Sequence, residues 1–241
     1  MSLRQKRVVV IGGTSGIGLA VAQGAMANGA SVVVGSSSAE KLGAVAAKLQ
    51  GAEAIAINVK DEASVEAFFA KVGPFDHLVF TAGDWGQFRD ARPIDQIDLE
   101  QARELFAVRF WGAVACVKHA HKHLRAGASI TLTDGTVAHR PRKGAPLSTA
   151  MAGGIEHLVR GLAVDLAPIR VNGVCPAGIR TDVWNSIPEA VREERFKKMT
   201  ERQPLPRIGE PEEVAEAYLY LMRGGYTTGQ VLRVDGGGSA V

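Results

Sequence analysis

Gly12, Gly16 and Gly18 fall in the run Ile11-Gly12-Gly13-Thr14-Ser15-Gly16-Ile17-Gly18. Their spacing suits a turn that holds a diphosphate. The apolar run Val8–Ile11 precedes the turn, and an alanine-rich helical pattern over Gly16–Asn28 follows and stops at Gly29. In such a unit a strand delivers the turn and glycines let the main chain approach closely. The helix N-terminus then offers free N–H groups and a positive dipole end to an anion. Thr14, Ser15 and Ile17 complete the candidate phosphate-binding set. An ordinary glycine turn is the competing reading, but it would not need the flanking strand and helix.

The elements that must position this turn alternate along the whole chain. Short β-branched runs at Val8–Ile11, Val32–Gly35, Ala54–Asn58, Leu78–Thr81, Ile130–Thr133, Val171–Cys175 and Val231–Val234 predict strands covered on both faces. Helical patterns lie between them at Gly16–Asn28, Glu40–Gln50, Glu62–Val72, Leu99–Arg125, Ser148–Ala167 and Pro211–Met222. The expected fold is therefore α/β: one doubly wound domain over 1–241, with a seven-stranded parallel sheet and helices on both faces. Ligands bind such sheets at the carboxyl ends of the strands. That places Gly12–Gly18, Gly35–Ser38, Asn58–Val59, Ala82–Asp84, Asp134–Pro146 and Pro176–Asp182 around one site. The irregular stretch 178–206 is long enough to form a lid over it.

Composition narrows the function classes. The chain has 241 residues, 46% hydrophobic and 22% charged, with a formal charge of +3. No lysine or arginine block points to nucleic acid, and no apolar run is long enough for a membrane span. Cys116 and Cys175 lie in apolar surroundings and read as reduced core thiols, which suggests the cytoplasm. His119, His121 and His123 do not make a metal set, because only His119 and His123 share a helix face. No metal site is expected.

Several motifs, in order, make the chain resemble a short-chain dehydrogenase/reductase over nearly its whole length. The Gly12–Gly16–Gly18 spacing matches that family's cofactor loop, and Thr81-Ala82-Gly83 is similar to its Asn-Ala-Gly corner. Leu162–Asn172 resembles its fifth helix and sixth strand. Pro176-Ala177-Gly178-Ile179-Arg180-Thr181 resembles the segment that approaches the nicotinamide, and Arg207–Ala215 and Thr228–Gly237 resemble its C-terminal signature. The resemblance implies a Rossmann-type domain that binds NADP or NAD, and a homo-oligomer, dimer or tetramer, built through the central helices and last strand. The cofactor-binding positions it implies are Gly12, Thr14, Ser15, Gly16, Ile17, Gly18, Ser36, Ser37, Ser38, Asn58, Val59, Thr81, Ala82, Gly83, Pro176, Ala177, Gly178, Ile179 and Thr181. At the end of the second strand, Ser36-Ser37-Ser38 replaces the aspartate that grips the unphosphorylated ribose. Three hydroxyls and no carboxylate favour a 2′-phosphate, hence NADP, with NAD the alternative. The usual phosphate-binding arginine is missing.

The catalytic half departs from the family. Its tyrosine and the lysine four residues later fall on Ser148 and Ala152, or on Leu147 and Met151 in the neighbouring register. The family's serine position falls on Asp134 or Gly135, and its helix asparagine on Arg109. A serine hydroxyl is far too weak an acid to stand in for a phenol assisted by an ammonium. The tyrosine–lysine mechanism is therefore excluded by residue type. The candidate substitutes are Asp134, Ser148, Arg109 and His139. Asp134 could act as an acid if buried; the competing readings are a structural Asp134–Arg109 ion pair and a solvated His139. Arg140, Arg142 and Lys143 are either an anion-recognising group or a solvated basic loop. Trp85, Phe88, Trp111 and Trp184 are candidate linings of an apolar substrate pocket.

The expected function is an NADP(H)-dependent oxidoreductase acting on a small carbonyl or alcohol through an atypical proton donor. The alternative is a catalytically silent nucleotide-binding protein, either a redox sensor or a partner subunit. A third reading is a non-redox enzyme that uses the dinucleotide structurally.

Overall fold

The computed structural model describes residues 2–83 and 92–241. Trp85 and Phe88, two of the expected pocket aromatics, and Asp84 lie outside the described residues. Seven strands form one parallel sheet: β1 Arg7–Ile11, β2 Ser31–Ser36, β3 Glu53–Ala56, β4 Phe75–Phe80, β5 Leu124–Thr133, β6 Arg170–Pro176 and β7 Val231–Val234. Their order is β3-β2-β1-β4-β5-β6-β7, so the direction of winding reverses beside β1. The glycine turn, which follows β1, therefore opens at the switch point where such sheets bind ligands.

Strand alternation divides the core into two layers. Val9, Ile11, Val33, Leu78, Phe80, Ile130 and Leu132 face α4 (Glu62–Val72), α6 (Gly112–Ala120) and α7 (Pro146–Asp165). Val8, Val10, Val32, Val34, Val79 and Val174 face α1 (Gly16–Ala27) and α9 (Pro211–Arg223). The expected helix Glu40–Gln50 is split into α2 Ala39–Gly43 and α3 Val45–Lys48. Ser38 caps α2 by accepting from the Lys41 amide at 3.2 Å.

The largest departure concerns the helix expected over Leu99–Arg125. It runs as α5 Leu99–Phe106, widens to a π-helical turn over Ala107–Trp111, continues as α6 and ends at Ala120. The ten-residue β5 then begins at Leu124. Its register against β4 shifts between the Phe75↔Leu124 and His77↔Ser129 pairs, because Gly127 turns the chain at φ 77°. Arg125 thereby reaches Asp76, on β4. Asp76 is 4% exposed and accepts from Lys6 Nζ (3.0 Å), the Arg7 amide (2.8 Å) and Arg125 Nη1 (2.9 Å). Burial raises its pKa, but these donors outweigh burial and the net shift is downward. The cluster ties β1, β4 and β5 together at the end of the sheet opposite the glycine turn.

Among the described residues no helix is long and apolar enough to cross a membrane. Cys116 and Cys175 are both free and buried, as expected. His119 Nε2 lies 3.0 Å from the Glu62 carboxylate.

Removing the Asp76 carboxylate leaves three donors facing a buried gap. Asp76→Ala is expected to cost about 2–3 kcal/mol in urea unfolding at pH 7. Because the folded pKa is depressed, that loss should shrink as pH falls through the carboxylate range. An unchanged urea midpoint would show that the cluster contributes nothing.

Candidate active site

The glycine turn and the end of β4 form one packed body. Gly12 adopts φ 88° and donates to the Gly35 carbonyl at 2.8 Å; a Cβ there would stand 2.7 Å from the Ala82 nitrogen. A Cβ on Gly18 would meet the Gly12 carbonyl oxygen at 2.3 Å and Thr81 Oγ1 at 2.4 Å. Thr81 holds the arrangement by donating both its amide (2.9 Å) and its hydroxyl (3.0 Å) to the Ile11 carbonyl. Gly16, at φ 52°, lies against Thr181, whose Cβ is 3.1 Å from where a Gly16 Cβ would be. The Ser15 side chain does not cap α1, so it does not compete with an anion for the first-turn amides.

Ser36 Oγ accepts from the Ser38 amide at 3.2 Å, which curls the Ser36–Ser38 turn at the end of β2. Asn58 Oδ1 accepts from the Lys60 amide at 3.1 Å, and Val59 packs closely against Gly112. On the other side, Ala177 donates to the Val234 carbonyl at 3.2 Å as the chain leaves β6. Ile179 bridges to Gly209, with Arg180 donating to the Gly209 carbonyl at 2.9 Å. These contacts bring the glycine turn, Thr81 and Ala82, the Ser36–Ser38 turn, Asn58 and Val59, and the chain leaving β6 to one edge of the sheet.

The four candidate catalytic residues do not all meet. Asp134 follows β5 directly, is 2% exposed, and donates its amide to the Val174 carbonyl at 3.1 Å. Arg109, carried by the π-helical turn, donates from Nη1 to the main-chain carbonyl of Asp134 at 3.1 Å. The expected Asp134–Arg109 contact therefore exists, but it runs to the backbone. Arg109 fits only because residue 83 is glycine, since a Cβ there would stand 2.2 Å from its Nη2. His139 is not a solvated loop side chain: the Glu156 carboxylate holds it through Nε2, and it lies 3.3 Å from Arg233 Nη2 through Nδ1. Arginine can only donate, so Nδ1 accepts and Nε2–H donates to Glu156. Ser148 is buried in the first turn of α7, on the same face as Ala152 and Glu156.

Glu156 and Cys175 join this group, although neither was singled out by residue type. Asp134, His139, Glu156 and Cys175 present one donor atom each, all within 4.8 Å of one another. Spacing held the signal: Ser148, Ala152 and Glu156 recur every four residues along α7 and so share one face. Among the described residues no ordinary donor reaches either carboxylate oxygen of Asp134, and the groups beside it are Glu156 and Cys175. Burial, followed by the nearby Glu156 carboxyl, pushes its pKa up to about 8. Burial also opposes ionisation of Glu156, but hydrogen bonding from Asp134 and His139 outweighs it and lowers the Glu156 pKa. The two carboxyls thus share one negative charge, with the proton on Asp134 at neutral pH.

Trp184 donates its indole N–H to the Ile179 carbonyl at 2.9 Å and packs edge-on against Phe196. It anchors α8 (Glu189–Thr200) within the expected lid segment. Trp111 points outward and is 61% exposed.

Residues 12–239 match the family model described as Enoyl-(Acyl carrier protein) reductase. The short-chain dehydrogenase/reductase malC of Malbranchea aurantiaca is 36% identical, covering 98% of this chain and 95% of its own. The structure of MalC Reductase/Diels-Alderase from the same organism superposes at TM-score 0.91 with 35% identity, covering 99% and 98% of the two chains. A small-chain dehydrogenase crystallised in complex with NADPH superposes at TM-score 0.84 with 30% identity, covering 98% and 99%. With its seven-stranded parallel sheet and intact glycine turn, the chain belongs to the short-chain dehydrogenase/reductase family of oxidoreductases.

Proposed function

We propose that the protein is an NADP(H)-dependent oxidoreductase that reduces a small carbonyl compound, or oxidises the matching alcohol, with Asp134 as proton donor and acceptor. The observation that carries this reading is the juxtaposition of a complete dinucleotide cradle with a buried, protonated carboxyl at the end of β5. The cradle fits the cofactor on its own geometry: Gly12 and Gly18 leave no room for a Cβ against Ala82, Thr81 and the Gly12 carbonyl, so the turn packs tightly and leaves the first amides of α1 uncapped by Ser15 for an anion. The structural relative crystallised with NADPH supports the same cofactor. When bound, the nicotinamide supplies or takes up the hydride.

The chain's own residues do the remaining work. Thr14, Ser15, Gly16, Ile17 and Gly18 hold the diphosphate at the α1 N-terminus. Ser36, Ser37 and Ser38, with Lys41 one turn on, receive the 2′-phosphate, and Asn58 and Val59 bound the adenine. Pro176, Ala177, Gly178, Ile179 and Thr181 line the nicotinamide side. Asp134 delivers a proton to the developing alkoxide, which its raised pKa allows near neutrality. Glu156 keeps that proton on Asp134, and His139 holds Glu156 in place. Arg109 fixes the Asp134 main chain and adds positive charge beside the site. Ser148 contributes a hydroxyl donor rather than a proton.

The tyrosine–lysine route has no residues to run on. The chain's three tyrosines are Tyr218, Tyr220 and Tyr226, two in α9 and one just after it. Tyr218 is buried and bonded to Thr133 Oγ1 at 2.6 Å. Exposed Trp111 and Val164, on the central helical segments, support assembly as a homo-oligomer.

NADPH should bind more tightly than NADH in a fluorescence titration. Ser36→Asp should weaken NADPH by about tenfold or more through repulsion of the 2′-phosphate. Equal loss for both cofactors would place the phosphate elsewhere. Across a panel of small carbonyls, NADPH oxidation should fall by about 10²–10⁴-fold in Asp134→Asn, with wild-type reduction declining above about pH 8. Tight NADPH binding with no turnover of any panel member would favour the silent binding protein instead.

The same carboxyl has a signature in stability. From about pH 4 to about pH 8 the folded chain keeps a proton on Asp134 that the unfolded chain has released, so this group lowers stability as pH rises. The urea midpoint of Asp134→Asn should therefore gain on wild type across that window. A constant difference would mean that Asp134 titrates normally.

A further inference from the structure

We infer that Asp134, His139, Glu156 and Cys175 form a binding site for a single divalent transition-metal ion of the zinc class. Among the described residues this is the one group of three or more histidine, cysteine, aspartate or glutamate side chains that could hold a metal ion. Its four donors come from separate parts of the fold: the chain after β5, the loop beyond it, α7 and β6. They still converge to within 4.8 Å of one another. Metal bonds of about 2.0–2.3 Å in a tetrahedron set donors about 3.3–3.8 Å apart, so the wider-spaced atoms need move inward by about 1 Å at most, while His139 Nε2 and the Glu156 carboxylate, already in contact, part to admit the ion. A second observation points the same way. Both carboxylate oxygens of Asp134 are buried, no ordinary donor among the described residues reaches them, and the groups they meet, Glu156 and Cys175, are themselves acids. Such oxygens call for a proton or a cation.

The donor set selects the ion. One thiolate and one imidazole beside two carboxylates suit zinc or cobalt and do not suit magnesium or calcium, which take oxygen ligands. Three anionic ligands around a dication leave one net negative charge, which Arg109 lies close enough to offset. Entry is from the His139 side, where that side chain is 23% exposed while Glu156 is 8% exposed. Arg233 is exposed and points an N–H at Nδ1 of His139. Metal on Nε2 requires a proton on Nδ1, so Arg233 must swing into solvent before the ion is bound. It therefore opposes loading. The metal would take the carboxylate that carries the transferable proton, so the loaded protein should be inactive in reduction; this consequence alone rests on the reading of Asp134 as proton donor.

The test uses chelator-treated full-length protein titrated with zinc by calorimetry and with cobalt by absorbance. One ion per chain is expected, with a Kd of about 1 μM or tighter and a near-ultraviolet thiolate-to-cobalt charge-transfer band. Cys175→Ser should abolish that band and weaken zinc by about tenfold or more, and His139→Ala should weaken it similarly. Arg233→Ala, an exposed change that leaves the fold intact, should tighten binding about threefold or more. His119→Ala is the control for a surface site and should change nothing. No band in wild type, or affinity unchanged in Cys175→Ser, His139→Ala and Arg233→Ala, overturns the site and leaves a carboxyl pair sharing one proton. Retained NADPH binding without zinc binding sinks the metal site alone. Zinc binding without NADPH binding sinks the oxidoreductase reading alone.

Discussion

An ionised carboxylate in a dry interior costs far more than any single hydrogen bond returns, and Asp134 is placed where that cost governs everything near it. It sits at the carboxyl end of β5, in the middle of the sheet, where neighbouring strands and α7 exclude water. No ordinary donor reaches its oxygens, and its titratable neighbours Glu156 and Cys175 are both acids. Two adjacent carboxyls in such a place cannot both ionise cheaply, so one retains its proton. Glu156 has the external support of His139 and becomes the charged member. The contact from Arg109 reinforces the arrangement by gripping the Asp134 main chain, leaving the carboxyl itself uncommitted.

The surrounding architecture serves to hold that carboxyl beside a nucleotide cradle. Parallel pairing brings the ends of β1, β4, β5 and β6 to one edge, and the glycine turn after β1 packs on Thr81 and Ala82 after β4. Gly83 leaves the space through which Arg109 reaches Asp134, which links the cofactor corner to the acid cluster in one contact. At the opposite end of the sheet the Asp76 cluster fixes the relative positions of β1, β4 and β5. Charge is thus handled in two ways in one fold: fully compensated at Asp76, where it holds strands together, and under-compensated at Asp134, the group proposed to move a proton.

Much of this was legible in the residues. The glycine spacing between a β-branched run and an alanine-rich helix marked the cradle, because its chemistry needs small residues at fixed places. All seven strands were found from short apolar runs, but coverage on both faces holds only for the inner strands: β3 is largely exposed and β7 only half-buried, because they lie at the sheet edges. Asp134, Arg109, His139 and Ser148 stood out as the polar groups left after the tyrosine and lysine were missing. Tertiary effects were harder to see. The π-helical turn over Ala107–Trp111 leaves no mark in a periodicity of 3.6, and the early start of β5 depends on Gly127 and on Arg125 meeting Asp76. Glu156 looked like one more charged residue on a long helix. Its role depends on which face of α7 meets β5 and β6, and a single sequence states that only through the four-residue recurrence with Ser148.

The most direct measurement is a carboxyl-carbon NMR titration of metal-free protein carrying labelled aspartate, with Asp134 assigned from the Asp134→Asn variant. The account expects that resonance to titrate near pH 8, well away from the other aspartates. A midpoint near 4 would show a carboxylate already ionised at neutrality. In that event Asp134 could neither donate the proton nor share one with Glu156.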